Sequence, residues 1–124
     1  MVVGLGIDVC SIERMQRALD RFGDRFWERL LTPSEREDLS QRVDRAAALA
    51  GRFAAKEAAA KAMGAPRDVG WHDLQIRRGA LGAPSLELLG PASQHAIRSG
   101  VTRSLVSITH DGGVAAAVVV LEGE

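Results

Sequence analysis

The sequence predicts an α+β fold: early helices, one of them long and alanine-rich, packed on a mostly antiparallel sheet. Three observations carry this. Residues 44–63 are an alanine-rich run of helical spacing, closed by Gly64 and Pro66. From Trp71 onward the period changes to two, with turn signals at 79–82 and 111–113. Apart from one strand at the start, helix signals fill the first half and strand signals most of the second. No internal repeat or linker interrupts the 124 residues, which are expected to form one domain, 1–124.

Residues 2–9 read as a buried strand. Val3, Leu5, Ile7 and Val9 alternate to one face, Gly4, Gly6 and Asp8 to the other. Two bare glycines beside a carboxylate mark a face that something approaches closely. Ser11 offers an N-cap for a helix running to about Phe22, with Gly23 as its stop. Its apolar side is Ile12, Met15, Leu19 and Phe22; Arg14, Arg17 and Arg21 share the opposite side, and Arg25 would continue that row if the helix did not end at Gly23.

Thr32-Pro33-Ser34-Glu35 has the cap, the first-turn proline and the glutamate three residues on that start a helix, here reaching about Gln41. The long helix of roughly 44–63 follows. Trp71–Arg78 reads as a strand, Gly79–Gly82 as a turn and Pro84–Leu89 as the hairpin partner. A short helix, about Pro91–Ser99, precedes strand Leu105–His110, and Asp111-Gly112-Gly113 turns into Val114–Leu121.

Composition narrows the function classes. Sixteen basic and sixteen acidic side chains cancel, which removes any global attraction to nucleic acid or membrane. One cysteine, Cys10, permits no disulfide framework and no CxxC metal site, and favours a reducing, cytoplasmic setting. The first residues lack a basic leader, and no apolar run approaches membrane-spanning length. Gly4-Leu5-Gly6 fails the GxGxxG pattern because position 9 is Val, and GxxxxGK[ST] is absent.

Chemistry concentrates around the long helix. At about 100° per residue, Glu57 lies on one stripe with Ala46, Ala50, Phe53, Ala54 and Lys61. A carboxylate among apolar neighbours is costly unless a cation, a metal or hydrogen bonds meet it. Asp8, at a strand end, is a second carboxylate in an apolar setting. If strand and helix pack together, the two oxygen donors suit Mg²⁺, which keeps several waters and takes phosphate oxygens as further ligands. Spacing alone points rather to an i,i+4 pair of Glu57 with Lys61, and to a cap or turn role for Asp8 before the first helix.

Lys56 and Lys61 are either solvated helix lysines or point charges for phosphate. Gly64 is a helix stop or a place where backbone meets ligand. His110 falls on a strand face with Val106 and Ile108, as an edge histidine or a functional one. Asp111 opens a turn. The arginine row is a solvated face or a dock for an acidic helix.

Taken together, these residues resemble a known family. The pattern [FW]-x-x-K-E-[AS]-x-x-K is met by Phe53, Lys56, Glu57, Ala58 and Lys61, and an N-terminal G-[ILV]-D by Gly6, Ile7 and Asp8. Leu30–Glu35, Gly51–Ala58 and Ser107–His110 also fit. The chain resembles the 4′-phosphopantetheinyl transferases, in the short single-domain form of the holo-acyl-carrier-protein synthases, over nearly its whole length.

The resemblance implies transfer of the phosphopantetheine arm of coenzyme A to a serine of an apo acyl carrier protein, of fatty-acid or polyketide type, with release of 3′,5′-ADP. It implies Mg²⁺ on Asp8 and Glu57, with Lys61 on phosphate. It implies a homotrimer with sites between subunits, and a carrier dock in which Arg14 and Arg21 match best. His110 matches a histidine at the coenzyme A site. Lys56, Gly64, Gly82 and Pro84 are further coenzyme contacts on this reading. Two departures stand out: the turn is Leu81-Gly82-Ala83-Pro84 where the family commonly carries N-G-[KR]-P, and Asp111 follows His110 directly, which makes it a candidate third metal ligand or base.

Overall fold

The structure, a computed structural model, describes all residues, Met1–Glu124. Strand β1 (Val2–Ser11) leads into α1 (Ile12–Phe22), α2 (Asp24–Leu30), α3 (Pro33–Asp38) and the long α4 (Arg45–Ala62). A 3-10 turn (Trp71–Asp73) opens β2 (Leu74–Arg78), followed by β3 (Pro84–Leu88), α5 (Pro91–Arg98), β4 (Val101–Asp111) and β5 (Val114–Gly123). The sheet β1-β5-β4 is antiparallel throughout, and β2–β3 is a separate hairpin. This is the expected α+β arrangement, with α4 lying across the three-stranded sheet.

The local signals act as anticipated. Ser11 Oγ accepts from the Arg14 N–H at 3.1 Å, and Gly23, at φ 65°, ends α1. Thr32 and Glu35 exchange both bonds of a capping box. The differences lie where no local signal exists. Asp24–Leu30 is a helix that Gly23 separates from α1 rather than a loop, carrying Trp27 and Leu30 into the core. Trp71–Asp73 is a 3-10 turn and not the start of β2, because Asp73 reaches back to the Gly70 N–H at 2.8 Å. Helix α3 stops at Asp38, and β4 extends back to Val101.

The close partner of the two glycines is the α4 backbone. A Cβ on Gly6 would meet the Ala58 carbonyl, and one on Gly4 the Ala62 carbonyl. Ala115 and Ala117 of β5 complete a smooth surface against Ala54, Ala55, Ala58 and Ala59 of α4, all buried. Gly6→Ala is therefore expected to cost about 1–3 kcal/mol through overpacking against a backbone that cannot rotate away. Its urea midpoint should fall well below that of Gly51→Ala, where the nearest atom is a movable Ile108 methyl at 3.1 Å.

One expectation is reversed. The apolar face of β1 is not buried: Leu5 and Ile7 are each 64 % exposed, and Val3 and Val9 are also open. Helix α4 occupies the glycine face, so the branched side chains project from the opposite side of the sheet. Val118 and Val120 of β5 pair with Ile7 and Leu5 and continue this apolar surface. No helix is long and apolar enough to cross a membrane.

Candidate functional site

Because Gly6 lets α4 approach β1, Asp8 and the C-terminal half of α4 share one end of the packed pair. Lys61 Nζ donates to Asp8 Oδ1 and to the Ile7 carbonyl, both at 3.0 Å. Glu57 does not pair with Lys61, one turn away; its Oε1 accepts from the Trp71 indole N–H at 3.1 Å. Both carboxylates act on the charge of Cys10. Burial pushes that thiol above its ordinary value, Arg14 opposes, and Asp8 and Glu57 add to the rise.

This leaves one oxygen of each carboxylate without a hydrogen-bond partner, with the Lys61 ammonium beside Asp8. Two hard oxygen donors with open positions fit Mg²⁺, which is completed by water and phosphate rather than by a full protein cage. Nowhere do three His, Cys, Asp or Glu side chains gather to hold a metal. Asp111 is therefore not a third ligand within the chain. Asp8 pairs with Ala117 and Asp111 with Val114, three residues along and two strands away, or ~10 Å in each direction. Its Oδ1 accepts from the Gly112 N–H at 2.9 Å, closing the hairpin turn.

Lys56 is a second correction. It is completely buried, with its ammonium 2.7 Å from Glu35 Oε1 and 2.8 Å from the Trp71 carbonyl, so its charge is taken up in the core although the residue lines a cavity of about 320 Å³ with Glu57 and Trp71. Glu35 also accepts from the Thr32 and Ile76 N–H groups at 2.8 and 3.0 Å. Its adjacency to Glu57 in sequence is misleading, because neighbouring helical residues point about 100° apart. Gly64 ends α4 at φ 81° and lines a cavity of about 380 Å³ of mixed polarity with Lys61, Met63 and His95.

His110, Gly82 and Pro84 come together, as the family pattern suggests, in a cavity of about 280 Å³ with Arg42, Arg52 and Arg78. The three arginines are widely spaced in sequence and carried no local signal. Arg52 is 8 % exposed and its Nε has no hydrogen-bond partner. Burial pushes the guanidinium below its ordinary value; Glu35 opposes, while Arg78, and more weakly Arg42, add to the fall. Arg42 is held by both oxygens of Asp44 at 2.7 and 2.8 Å, whereas a buried Arg52 with an orphan donor beside Arg78 suits an anion. This cavity and the one that Glu57 lines with Trp71 have no lining residue in common.

On α1, Arg17 is committed to Glu13 at 3.2 Å, whereas Arg14 and Arg21 have no carboxylate partner. Arg14 lies over Phe53 at 5.8 Å and Arg21 over Phe22 at 5.2 Å. Helix α2 adds a hollow lined by Phe22, Arg25, Phe26 and Arg29. The resulting face is basic with aromatic centres, and half of it sits on the helix that the sequence reading passed over.

A sequence model of the 4′-phosphopantetheinyl transferase superfamily matches residues 4–119. The holo-[acyl-carrier-protein] synthase of Anaeromyxobacter dehalogenans (strain 2CP-C) is 51 % identical over 126 residues, 99 % of this chain and 98 % of that one. The crystal structure of holo-[acyl-carrier-protein] synthase from Neisseria meningitidis superposes with a TM-score of 0.89 at 36 % identity, covering 98 % and 99 % of the two chains. The Helicobacter pylori holo-[acyl-carrier-protein] synthase in complex with coenzyme A gives 0.83 at 32 % identity, covering 95 % and 99 %.

Proposed function

The chain belongs to the 4′-phosphopantetheinyl transferase superfamily, among the holo-[acyl-carrier-protein] synthases, and we propose that it moves the arm of coenzyme A onto a serine of an apo acyl carrier protein in a Mg²⁺-dependent step that releases 3′,5′-ADP. The observation that supports this reading is the Asp8–Lys61 ion pair across the β1–α4 contact, with Glu57 one turn before Lys61 on the same helix. Asp8 and Glu57 would hold Mg²⁺, which supplies charge neutralisation at the coenzyme's pyrophosphate when bound.

The chain's own groups do the rest. Arg52, Arg42, Arg78 and His110 take the phosphates of the nucleotide end, where the orphan Arg52 Nε finds its acceptor. Lys61, oriented by Asp8, puts a positive charge on oxygens of the transferred phosphoryl group. The serine hydroxyl attacks the β-phosphorus, the bond to the bridging oxygen breaks, and 3′,5′-ADP leaves. Glu57 takes the serine proton, because Asp8 is already paired with Lys61. Positioning and electrostatics account for most of such a transfer.

Two features support a homotrimer with sites between subunits. The open apolar face of β1 and β5 has the character of a surface that a second copy covers. The arginine cavity and the carboxylate centre are separate on one chain, and a neighbouring copy can set one against the other. Coenzyme A and a carrier with an acidic helix are the partners, in a reducing cytoplasm where Cys10 stays free.

The test is to incubate the chain with coenzyme A, Mg²⁺ and an apo carrier, and to weigh the carrier. A mass gain of one phosphopantetheine arm, lost in chelator, is expected. No gain, or coenzyme consumption without loading, overturns the reading. In the same assay Arg14→Ala and Arg21→Ala should each raise the KM for the carrier about 3–10-fold, the effect of removing an interfacial charge, with the KM for coenzyme A unchanged. Equal effects on both constants would refute the dock.

A further inference from the structure

Glu57 is held by a side chain that the proposed reaction does not use. Trp71 Nε1 donates to Glu57 Oε1 at 3.1 Å, leaving Oε2 as the free oxygen. The Trp71 backbone is fixed in turn, since its carbonyl accepts from Lys56 Nζ at 2.8 Å and Lys56 is locked to Glu35 in the core. The ring is packed between Phe53, with centroids 6.2 Å apart, and the Arg29 guanidinium, 5.9 Å from the ring centre. The same 3-10 turn is tied to α2 through His72 Nε2 and the Glu28 carbonyl at 2.9 Å. A ring gripped from the core, from α4 and from α2 has little freedom, so its N–H points one way.

We propose that Trp71 is a positioning residue that orients Glu57 for the cation, through a hydrogen bond that no other side chain in the chain supplies. This rests on the reading of Glu57 as a metal-holding carboxylate. A carboxylate on a helix has three rotatable side-chain bonds. Fixing one oxygen on an immobile indole limits where the other can go and spares the ordering that binding would otherwise require. Phenylalanine fills the same space without the N–H, so Trp71→Phe removes the bond and keeps the wedge.

Mn²⁺ can be titrated into the chain in the presence of coenzyme A, with free ion followed by its EPR signal. Trp71→Phe is expected to bind Mn²⁺ roughly tenfold more weakly, the usual loss when a group supporting a metal ligand is removed. The Mg²⁺ concentration for half-maximal loading should rise by a similar factor, with the KM for the carrier unchanged. A wild-type measurement stands independently of any variant. The chain has two tryptophans, Trp27 and Trp71. One indole N–H resonance should move on adding Mg²⁺ with coenzyme A and be the one missing from Trp71→Phe, while Trp27 stays in place. A wild-type chain that takes up no Mn²⁺ overturns the metal reading, and this inference with it. Normal uptake by wild type together with an unchanged Trp71→Phe, or two stationary indole resonances, overturns the positioning role alone.

Discussion

Glu57→Ala is expected to lower carrier loading by about 10²–10³-fold or more, the scale of losing a preorganised electrostatic partner at a phosphoryl centre. The fold should be unaffected to within about 1 kcal/mol. Glu57 is half-buried, its one hydrogen bond comes from Trp71, and alanine is the best helix former. Asp8→Ala should behave alike in activity. Lys61 then loses its carboxylate but keeps the Ile7 carbonyl, so the β1–α4 contact has a remaining polar tie. Thermal midpoints and far-UV spectra of both variants should overlay on wild type while mass gain of the carrier disappears. Wild-type turnover by either variant would remove the centre from the reaction.

The two carboxylates were legible in the sequence because each sits among small or apolar residues, and an unexplained charge there needs a partner. What the sequence left open was which partner. Lys61, one turn from Glu57, invited a helix-surface pair, and the structure gives that lysine to Asp8 instead. The distinction depends on Gly6 and the Ala58 carbonyl, a contact between residues far apart in the chain.

Long-range dependence explains the other differences as well. Caps and stops are written within a few residues, so α1 and the long helix were readable nearly to their ends. Helix α2 was hidden by treating Gly23 as a stop and not also as a start, although Phe26, Trp27 and Leu30 follow it at helical spacing. The outward turn of Leu5 and Ile7 reflects which face α4 takes. Arg42, Arg52 and Arg78 converge only after α4 and the β2–β3 hairpin have docked.

Lys56→Met should destabilise the fold by about 3–5 kcal/mol, the cost of breaking a buried ion pair from one side. Lys56 and Glu35 have no exposed side-chain surface, and their 2.7 Å contact ties α3 to α4. Without the ammonium, Glu35 keeps two backbone donors but carries an uncompensated charge, and the Trp71 carbonyl is left with the Leu74 N–H alone. Pairing the change with Glu35→Gln should recover part of the loss, because the amide removes the buried charge, although its single carbonyl oxygen can accept from only one of the Thr32 and Ile76 N–H groups. Chemical denaturation of the two single variants and the double one measures this, and a double variant no better than Lys56→Met would refute the pairing.

The same pair predicts a pH signature. Burial pushes Lys56 below its ordinary value, with Glu35 opposing. Between the lowered folded value and the unfolded one of about 10.4, the unfolded chain holds more protons, so this group makes stability rise with pH in that window and contributes no slope below it. The wild-type curve minus the Lys56→Met curve should therefore climb on the alkaline side. A flat or falling difference would mean that the lysine's burial costs nothing, and the core of this site would need another explanation.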